Sequence, residues 1–324
     1  MMRVGVIGVG SMGQNHARVY SEIAELAGVY DAMGEQARKI GARFSCPVFE
    51  DIDAMLTDVD AVSVCTPTST HFEVAMKAIE SGVNLLVEKP FTGDSKKAAA
   101  LQTAAEKAGV TIASGFIERF NPIVGVAREA VAAGSFGSVI SLSTRRVSSY
   151  PARIRDVGVV MDLGIHDVDV MRHVTGSEVT SVYALGGRCS NPDFEDHANL
   201  LLSMDSGAVG FLEVNWLTPM KVRKMSLTCS KSFVQIDYTD QSMEVSSSTL
   251  KDVDAADMFH IPLELDIRKV AVRKEEPLKR ELQDFLHAAE KGGRPNAGAE
   301  DAIANLRVCN AALVSMASGT VVHL

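Results

Sequence analysis

In the apolar run VVMDLGIHDVD (Val159–Asp169), an aspartate and a histidine, Asp162 and His166, stand four residues apart. On an α-helix that interval sets two side chains on one face, one above the other. An imidazole titrates near neutrality and suits proton transfer, and a carboxylate one turn away can fix its tautomer. Taken alone, the pair is equally an ordinary feature of a helix with a wet face. It becomes chemistry only if the rest of the chain brings a reaction to it. The stripe continues through Asp169 and His173, yet only adjacent turns can share one metal ion. No second His/Cys cluster supplies the missing ligands, so no metal site is expected.

The reaction is suggested near the N-terminus. GVIGVGSMG contains Gly8-x-Gly10-x-x-Gly13 between a strand-like run and a helical one, with Ser11 and Met12 inside the turn. In that context the first glycine permits the tight turn and the second lets a pyrophosphate approach the backbone. The third allows close helix–strand packing. Asp31 follows 18 residues after Gly13, at the end of the second predicted strand. A carboxylate there accepts hydrogen bonds from ribose hydroxyls and repels a 2′-phosphate, which favours NAD over NADP.

Two further strand ends add residues. CTPTSTH (Cys65–His71) brings Thr66, Pro67 and His71, and EKP brings Glu88 and Lys89 before Pro90. In open α/β sheets ligands bind at the carboxyl ends of the strands. The candidate cofactor-binding residues are thus Gly8, Gly10, Ser11, Met12, Gly13, Asp31, Thr66, Pro67, His71, Glu88 and Lys89. An average lysine is a solvated surface charge; Lys89, held between a strand end and a proline on the ligand edge, is a functional candidate.

The elements that position these groups alternate at first. RVGVIGVG, AGVYDA, VDAVSVCTP, VNLLVEKP and VTIASGF read as strands, with a helix from Met12 to Leu26 after the first. Further helices are STHFEVAMKAIESG, stopped by Gly82, and DSKKAAALQTAAEKAG, capped by Asp94 and stopped by Gly109. Apolar strands alternating with helices predict a doubly wound parallel sheet of Rossmann type over residues 1–120. Residues 121–324 change character. After a helix and the strand SVISLSTRRV come the Asp162/His166 helix, then six strand-like runs from SVYALGGRC to SMEVSSS, then two helices. This predicts an α+β domain with a large, mostly antiparallel open sheet.

The chain has 324 residues, enough for two cores, and its 46% hydrophobic and 23% charged content is that of a globular protein. A net charge of −9 argues against nucleic acid or an anionic membrane as partner. Five scattered cysteines without a C-x-x-C suggest reduced thiols, and the short N-terminal apolar run fits neither signal peptide nor membrane span. A cytoplasmic protein is expected. In this acidic chain Arg145, Arg146, Arg153 and Arg155 cluster before the Asp162/His166 helix, and guanidinium groups suit a diphosphate. Arg145 and Arg146 are strand neighbours and face opposite ways, so only one of them can reach a ligand. Arg145, Arg153, Arg155 and Asn121 of RFNP are the candidate substrate contacts; for Asn121 a plain turn role is the alternative.

These residues resemble a known family, the Gfo/Idh/MocA oxidoreductases, which include glucose–fructose oxidoreductase and inositol dehydrogenase. The likeness lies in GVIGVGSMGQNHAR, CTPTSTHFEVAMKAIESGVNLLVEKP, GFIERFNP, DLGIHDVDVMRHVTG and LQDFLHAAEKGGRP, spread over nearly the whole chain. It implies an NAD(P)-binding Rossmann domain and a second domain whose open sheet commonly serves oligomerisation, as a homodimer or homotetramer. It also implies that Lys89, Asp162 and His166 form the catalytic group of a hydride-transfer reaction. Within the family, ERFNP followed by RRVSSYPARIRDVGVVMDLGIHDVD is most similar to nucleotide-sugar 3-dehydrogenases acting on UDP-N-acetylglucosamine. The alternatives are a dehydrogenase of a free polyol such as inositol, and a catalytically silent sugar-sensing regulator.

Overall fold

The computed structural model describes residues 1–150, 156–250 and 263–324. Of these, 1–120, 156 and 276–307 form one compact unit, and 121–150, 157–250, 263–275 and 308–324 form another.

The first unit is built on five parallel strands in the order β2-β1-β3-β4-β5: β1 (Arg3–Ile7), β2 (Glu25–Tyr30), β3 (Ala61–Val64), β4 (Asn84–Glu88) and β5 (Ile112–Gly115). Helices α1 (Gly13–Ile23), α2 (Gly34–Phe44), α3 (Ile52–Leu56), α4 (Thr68–Glu80) and α5 (Ser95–Ala108) connect them. The strand order reverses between β1 and β3, and that switch point is where such sheets open a ligand crevice. Val4, Val6, Ile7, Val62, Val64, Leu85, Leu86 and Val87 are buried, the continuous apolar runs required of strands covered on both faces. Asp94 caps α5 by accepting from the amides of Lys96 and Lys97, and Gly109 closes it in the left-handed conformation, both as the sequence predicts.

Three sequence expectations change here. The first helix ends at Ile23, and Glu25 and Leu26 belong to β2, where Glu25 pairs with Arg3 across the parallel ladder. Helices α2 and α3 had no counterpart in the sequence reading. The division at 120 placed all of 121–324 in one domain, but α8 (Pro277–Lys291) packs with the first unit. Its Leu278, Leu282, Phe285 and Leu286 join Val4, Val6, Tyr20 and Val29 in one core.

The second unit begins with α6 (Pro122–Ala132) and β6 (Val139–Ser149), followed by a π-helical turn (Val160–Gly164) that runs into α7 (Ile165–Thr175). Then come β7 (Val179–Gly187), β8 (His197–Met204), β9 (Val209–Asn215), β10 (Leu217–Cys229), β11 (Phe233–Asp237), β12 (Ser242–Leu250) and β13 (Leu263–Ala271). The second half of α9 (Ala299–Ser318) and the short β14 (Val322–His323) complete it. The nine strands form one sheet, β13-β12-β11-β10-β6-β9-β8-β7-β14, in which β6 and β9 are parallel and the other pairs antiparallel. The mostly antiparallel open sheet read from the sequence is present. Strands β8 and β9 alternate strictly: Leu200, Leu202, Leu212 and Val214 are buried while Leu201 and Phe211 are exposed. Helix α7 lies on the buried face, where Met171 approaches Gly210 and the Gly164 backbone approaches Leu212.

Candidate functional site

The glycine turn has the geometry of a phosphate cradle. Gly8 leaves β1 with φ +85°, and a Cβ there would sit 2.8 Å from the Thr66 amide nitrogen, beyond the end of β3. Gly13 opens α1 against the turn itself, since a Cβ would come within 1.8 Å of the Gly8 carbonyl oxygen. Gly10 is the reverse case: its Cβ would meet nothing within 4 Å. Open space above a bare backbone, at the N-terminus of an 11-residue helix, fits a pyrophosphate. Ser11 and Met12 form the step into that helix; the Ser11 carbonyl accepts from Asn15, and the Met12 carbonyl from the Asn15 and His16 amides.

Asp31 ends β2 beside the cradle. One carboxylate oxygen accepts from the Val9 amide at 2.8 Å and the other from the Met33 amide at 2.9 Å. Two backbone donors therefore fix this carboxylate at the end of the second strand, beside the glycine turn. The residues present fit a nicotinamide dinucleotide.

At the ends of β3 and β4 the chain ties its ligand edge together. Thr70 donates its hydroxyl to that of Thr66 at 2.8 Å, and Pro67 immediately precedes α4. At the N-terminus of α4, Asp156 accepts from the Thr68 amide at 3.0 Å. His71 is buried between two carbonyls, with Nε2 2.8 Å from Thr66 O and Nδ1 2.9 Å from Pro90 O. It thus joins the two loops that follow β3 and β4. Burial pulls its pKa down, against the opposing pull of the two carbonyls. Glu88 is buried and Lys89 half-buried, and the Lys89–Pro90 peptide bond is cis. Burial alone would push the Glu88 carboxyl up, but hydrogen bonding and charge from His16, together with Lys89, hold it below the usual carboxylate range.

In the second unit Asp162 and His166 are buried, 3% and 9% exposed. The expected α-helical stacking is modified, because Asp162 lies in the π-helical turn and regular α-helix begins only at Ile165. Such turns concentrate at functional sites, since they displace side chains from the α-helical wheel. Two residues that sequence reasoning did not assign hold this segment. The Glu195 carbonyl accepts from the Val159 amide at 2.9 Å and its carboxylate from the Val160 amide at 3.1 Å. Gly158 leaves room for that carboxylate, 2.1 Å from where a Cβ would stand. Arg146 donates from Nε and Nη2 to the two oxygens of Asp167 at 2.8 and 3.1 Å, with both side chains buried. The only sequence signal for this was strand alternation, which sends Arg145 and Arg146 to opposite faces.

The same alternation separates Arg145 from the helix. It lies on the exposed face of the sheet and pairs with Glu213 at 2.9 Å, whereas Asp162 and His166 belong to the helical face. Asn121 serves the fold: it caps α6 through the Ile123 amide and donates to the Tyr238 carbonyl at 3.0 Å. Arg153 and Arg155 lie outside the described residues. All five cysteines are free. Among the described residues no group of three or more His, Cys, Asp and Glu is placed to hold a metal ion. No helix among them is long and apolar enough to cross a membrane.

A doubly wound sheet with a glycine cradle and an aspartate after its second strand, on a chain that also carries a large open sheet, is the pattern of a class of dinucleotide-dependent oxidoreductases. Comparison with known proteins places the chain within it. Residues 2–116 match the oxidoreductase family with an NAD-binding Rossmann fold, and residues 124–235 match the GFO/IDH/MocA C-terminal domain. The chain is 36% identical to the UDP-N-acetylglucosamine 3-dehydrogenase of Acidithiobacillus ferrooxidans, over 89% of this chain and 88% of the relative. It is 30% identical to the scyllo-inositol 2-dehydrogenase (NAD(+)) of Bacillus subtilis, over 100% of this chain and 96% of that one. The solved structure of the A. ferrooxidans enzyme superimposes with a TM-score of 0.88 at 33% identity, covering 97% of each chain. The chain belongs to the Gfo/Idh/MocA family of oxidoreductases.

Proposed function

We propose that this protein is an NAD-dependent dehydrogenase that oxidises the C3 hydroxyl of UDP-N-acetylglucosamine. The observation that carries the substrate is the 36% identity, over 89% of the chain, to a UDP-N-acetylglucosamine 3-dehydrogenase. The preference for NAD rests on Asp31, whose fixed carboxylate suits ribose hydroxyls and repels a 2′-phosphate. When bound, nicotinamide supplies the hydride acceptor. The chain supplies the rest. His166 takes the hydroxyl proton as general base, and Asp162 fixes its tautomer or holds the sugar. Lys89, as an ammonium, polarises the same hydroxyl and stabilises negative charge as it develops. With Arg145 on the far face of its sheet, Arg153 and Arg155 remain the candidates for the diphosphate.

The test offers purified protein, with NAD and separately NADP, three alcohols: UDP-N-acetylglucosamine, free N-acetylglucosamine and myo-inositol. Reduced nicotinamide is followed by its absorbance. Reduction with NAD and the nucleotide sugar alone is the expected result. Reduction with inositol alone would replace the substrate by a free polyol, a reading motivated by the 30% identity to an inositol dehydrogenase along the whole chain. Silence with all three despite NAD binding would indicate a sensor.

The exposed sheet face supports self-association as a second part of this reading. Leu201 (48%), Phe211 (39%), Phe233 (39%) and Ile267 (50%) form an apolar surface that a second copy would cover. Phe211→Arg should reduce the mass measured by light scattering; an unchanged mass removes this face from assembly.

A further inference from the structure

Inside the first unit a chain of buried polar groups ends at Lys89. Tyr20 and His16, both on α1, and Ser63, in the middle of β3, are wholly buried. The Tyr20 hydroxyl lies 2.8 Å from Ser63 Oγ, which lies 3.0 Å from His16 Nδ1. His16 Nε2 lies 3.0 Å from one oxygen of Glu88, and the other oxygen accepts from the Lys89 amide at 3.1 Å. The directions follow from chemistry. An ionised carboxylate only accepts, so His16 Nε2 donates to Glu88. The Ser63 oxygen accepts from Tyr20, and its own hydrogen is then left for His16 Nδ1. Burial pushes the Tyr20 hydroxyl far above its ordinary pKa, so it stays a donor. Every donor points toward the carboxylate, and the last belongs to the backbone of Lys89.

The surroundings keep that carboxylate in place. Gly115 of β5 leaves the room it occupies, since a Cβ there would lie 2.9 Å from the carboxylate carbon. The titratable groups facing it are Cys65 after β3, whose thiol burial pushes well up, His71 of α4, Lys89, and Tyr20 and His16 of α1; Glu281 of α8 faces Tyr20 and Cys65 in the same region. A buried anion is costly unless it is hydrogen-bonded and paired. Here the cost is offset by an imidazole on the dinucleotide helix and by the lysine that follows.

We propose that Glu88, held in orientation by His16, is a positioning residue for Lys89: it anchors the strand end that presents the lysine and supplies the negative charge that favours its ammonium form. The catalytic part of this inference rests on the role of Lys89 given above; the electrostatic part does not.

The experiment uses the full-length protein and the variants Glu88→Gln, His16→Leu, His16→Gln and Lys89→Met. Lysines are reductively methylated with ¹³C, and the Lys89 signal is identified by its loss in Lys89→Met. Glu88→Gln should move the Lys89 titration down, since an adjacent anion stabilises an ammonium. This arm needs no substrate. A far-ultraviolet circular dichroism spectrum matching that of the wild type serves as the check that each variant is folded. In turnover, with the alcohol that reduces NAD, His16→Leu should lower kcat at least tenfold with the NAD Kd unchanged. His16→Gln, whose amide can still donate to Glu88, should recover most of that loss. If the Lys89 titration stays put in Glu88→Gln, the inference is overturned. A shifted titration in Glu88→Gln together with undiminished turnover in Lys89→Met upholds the electrostatic pairing and removes the catalytic role of Lys89.

Discussion

In both units the residue beside the candidate catalytic side chain is a buried carboxylate with a basic side chain from another element as its partner. Glu88 precedes Lys89 and meets His16 of α1; Asp167 follows His166 and meets Arg146 of β6. The partners differ in kind. A guanidinium keeps its charge at every working pH and forms two parallel bonds of fixed geometry. An imidazole changes charge near neutrality and makes one bond to its carboxylate. The second unit therefore rests α7 on a two-bond clamp, while the first rests the strand end before the lysine on a single bond relayed through His16 to Ser63 and Tyr20. The roles differ accordingly: the clamp fixes a helix, and the histidine orients a carboxylate.

Arg146→Met tests the clamp and should have the largest effect. It removes a cation whose side chain is 4% exposed and leaves Asp167, 0% exposed, as a buried charge without that partner. Breaking a buried pair from one side costs about 3–5 kcal/mol. Trp216, the single tryptophan, is buried in the second unit, so its fluorescence reports this unit's unfolding in urea. The expected outcome is a much lower urea midpoint. A change of less than ~1 kcal/mol would mean that α7 is held by packing alone and the comparison fails on this side.

The glycine cradle gives a smaller, paired test within the first unit. Gly13→Ala drives a methyl to 1.8 Å from the Gly8 carbonyl, so backbone must move, at a cost of up to ~3 kcal/mol. Gly10→Ala puts its methyl into open space and should leave stability within ~0.5 kcal/mol. Its effect should fall instead on the NAD Kd, raised about tenfold, because the methyl occupies the approach of the pyrophosphate. Calorimetric binding and thermal melting of the two variants separate these roles. Equal losses of stability would show that the turn is merely a tight loop.

What could be read from the sequence follows the same division. In the first unit function is coded locally. Gly8, Gly10, Gly13, Asp31 and Lys89 each lie within a few residues of a strand end, so spacing and strand order suffice to place them. In the second unit the local pattern D-x-x-x-H places a helix but not its geometry. The π-helical turn at 160–164 is held by Glu195, some 35 residues onward, and α7 after it by the clamp from β6, contacts that no periodicity encodes. The same limit hid His16, which reads as one more residue of α1 until Glu88 is seen 72 positions away in sequence and 3.0 Å away in space. Helix α8 was missed as part of the first unit because its apolar stripe is legible but the core that receives it is not.

The second unit also holds a titrating carboxylate, and it marks where the contrast ends. Asp196 is wholly buried and accepts from the amides of Cys189, Ser190 and Asn191 and from His197 Nδ1 at 2.9 Å. Burial alone would raise its pKa, but these donors outweigh burial and bring it down to about 2 from 3.8. A carboxyl depressed on folding contributes stability above its unfolded pKa and loses it as pH falls through the folded value. The window is therefore between about pH 4 and pH 2, and the difference is worth about 2 kcal/mol at neutral pH. The Trp216 amide donates to the Asp196 carbonyl at 2.9 Å, so the tryptophan reports on this loop directly. Asp196→Asn should lower the urea midpoint at pH 7 and flatten its decline from pH 4 to pH 2, while turnover near neutrality responds little to pH through this group. A wild-type midpoint flat across that acid range would show that the donors around Asp196 bind its protonated form as well.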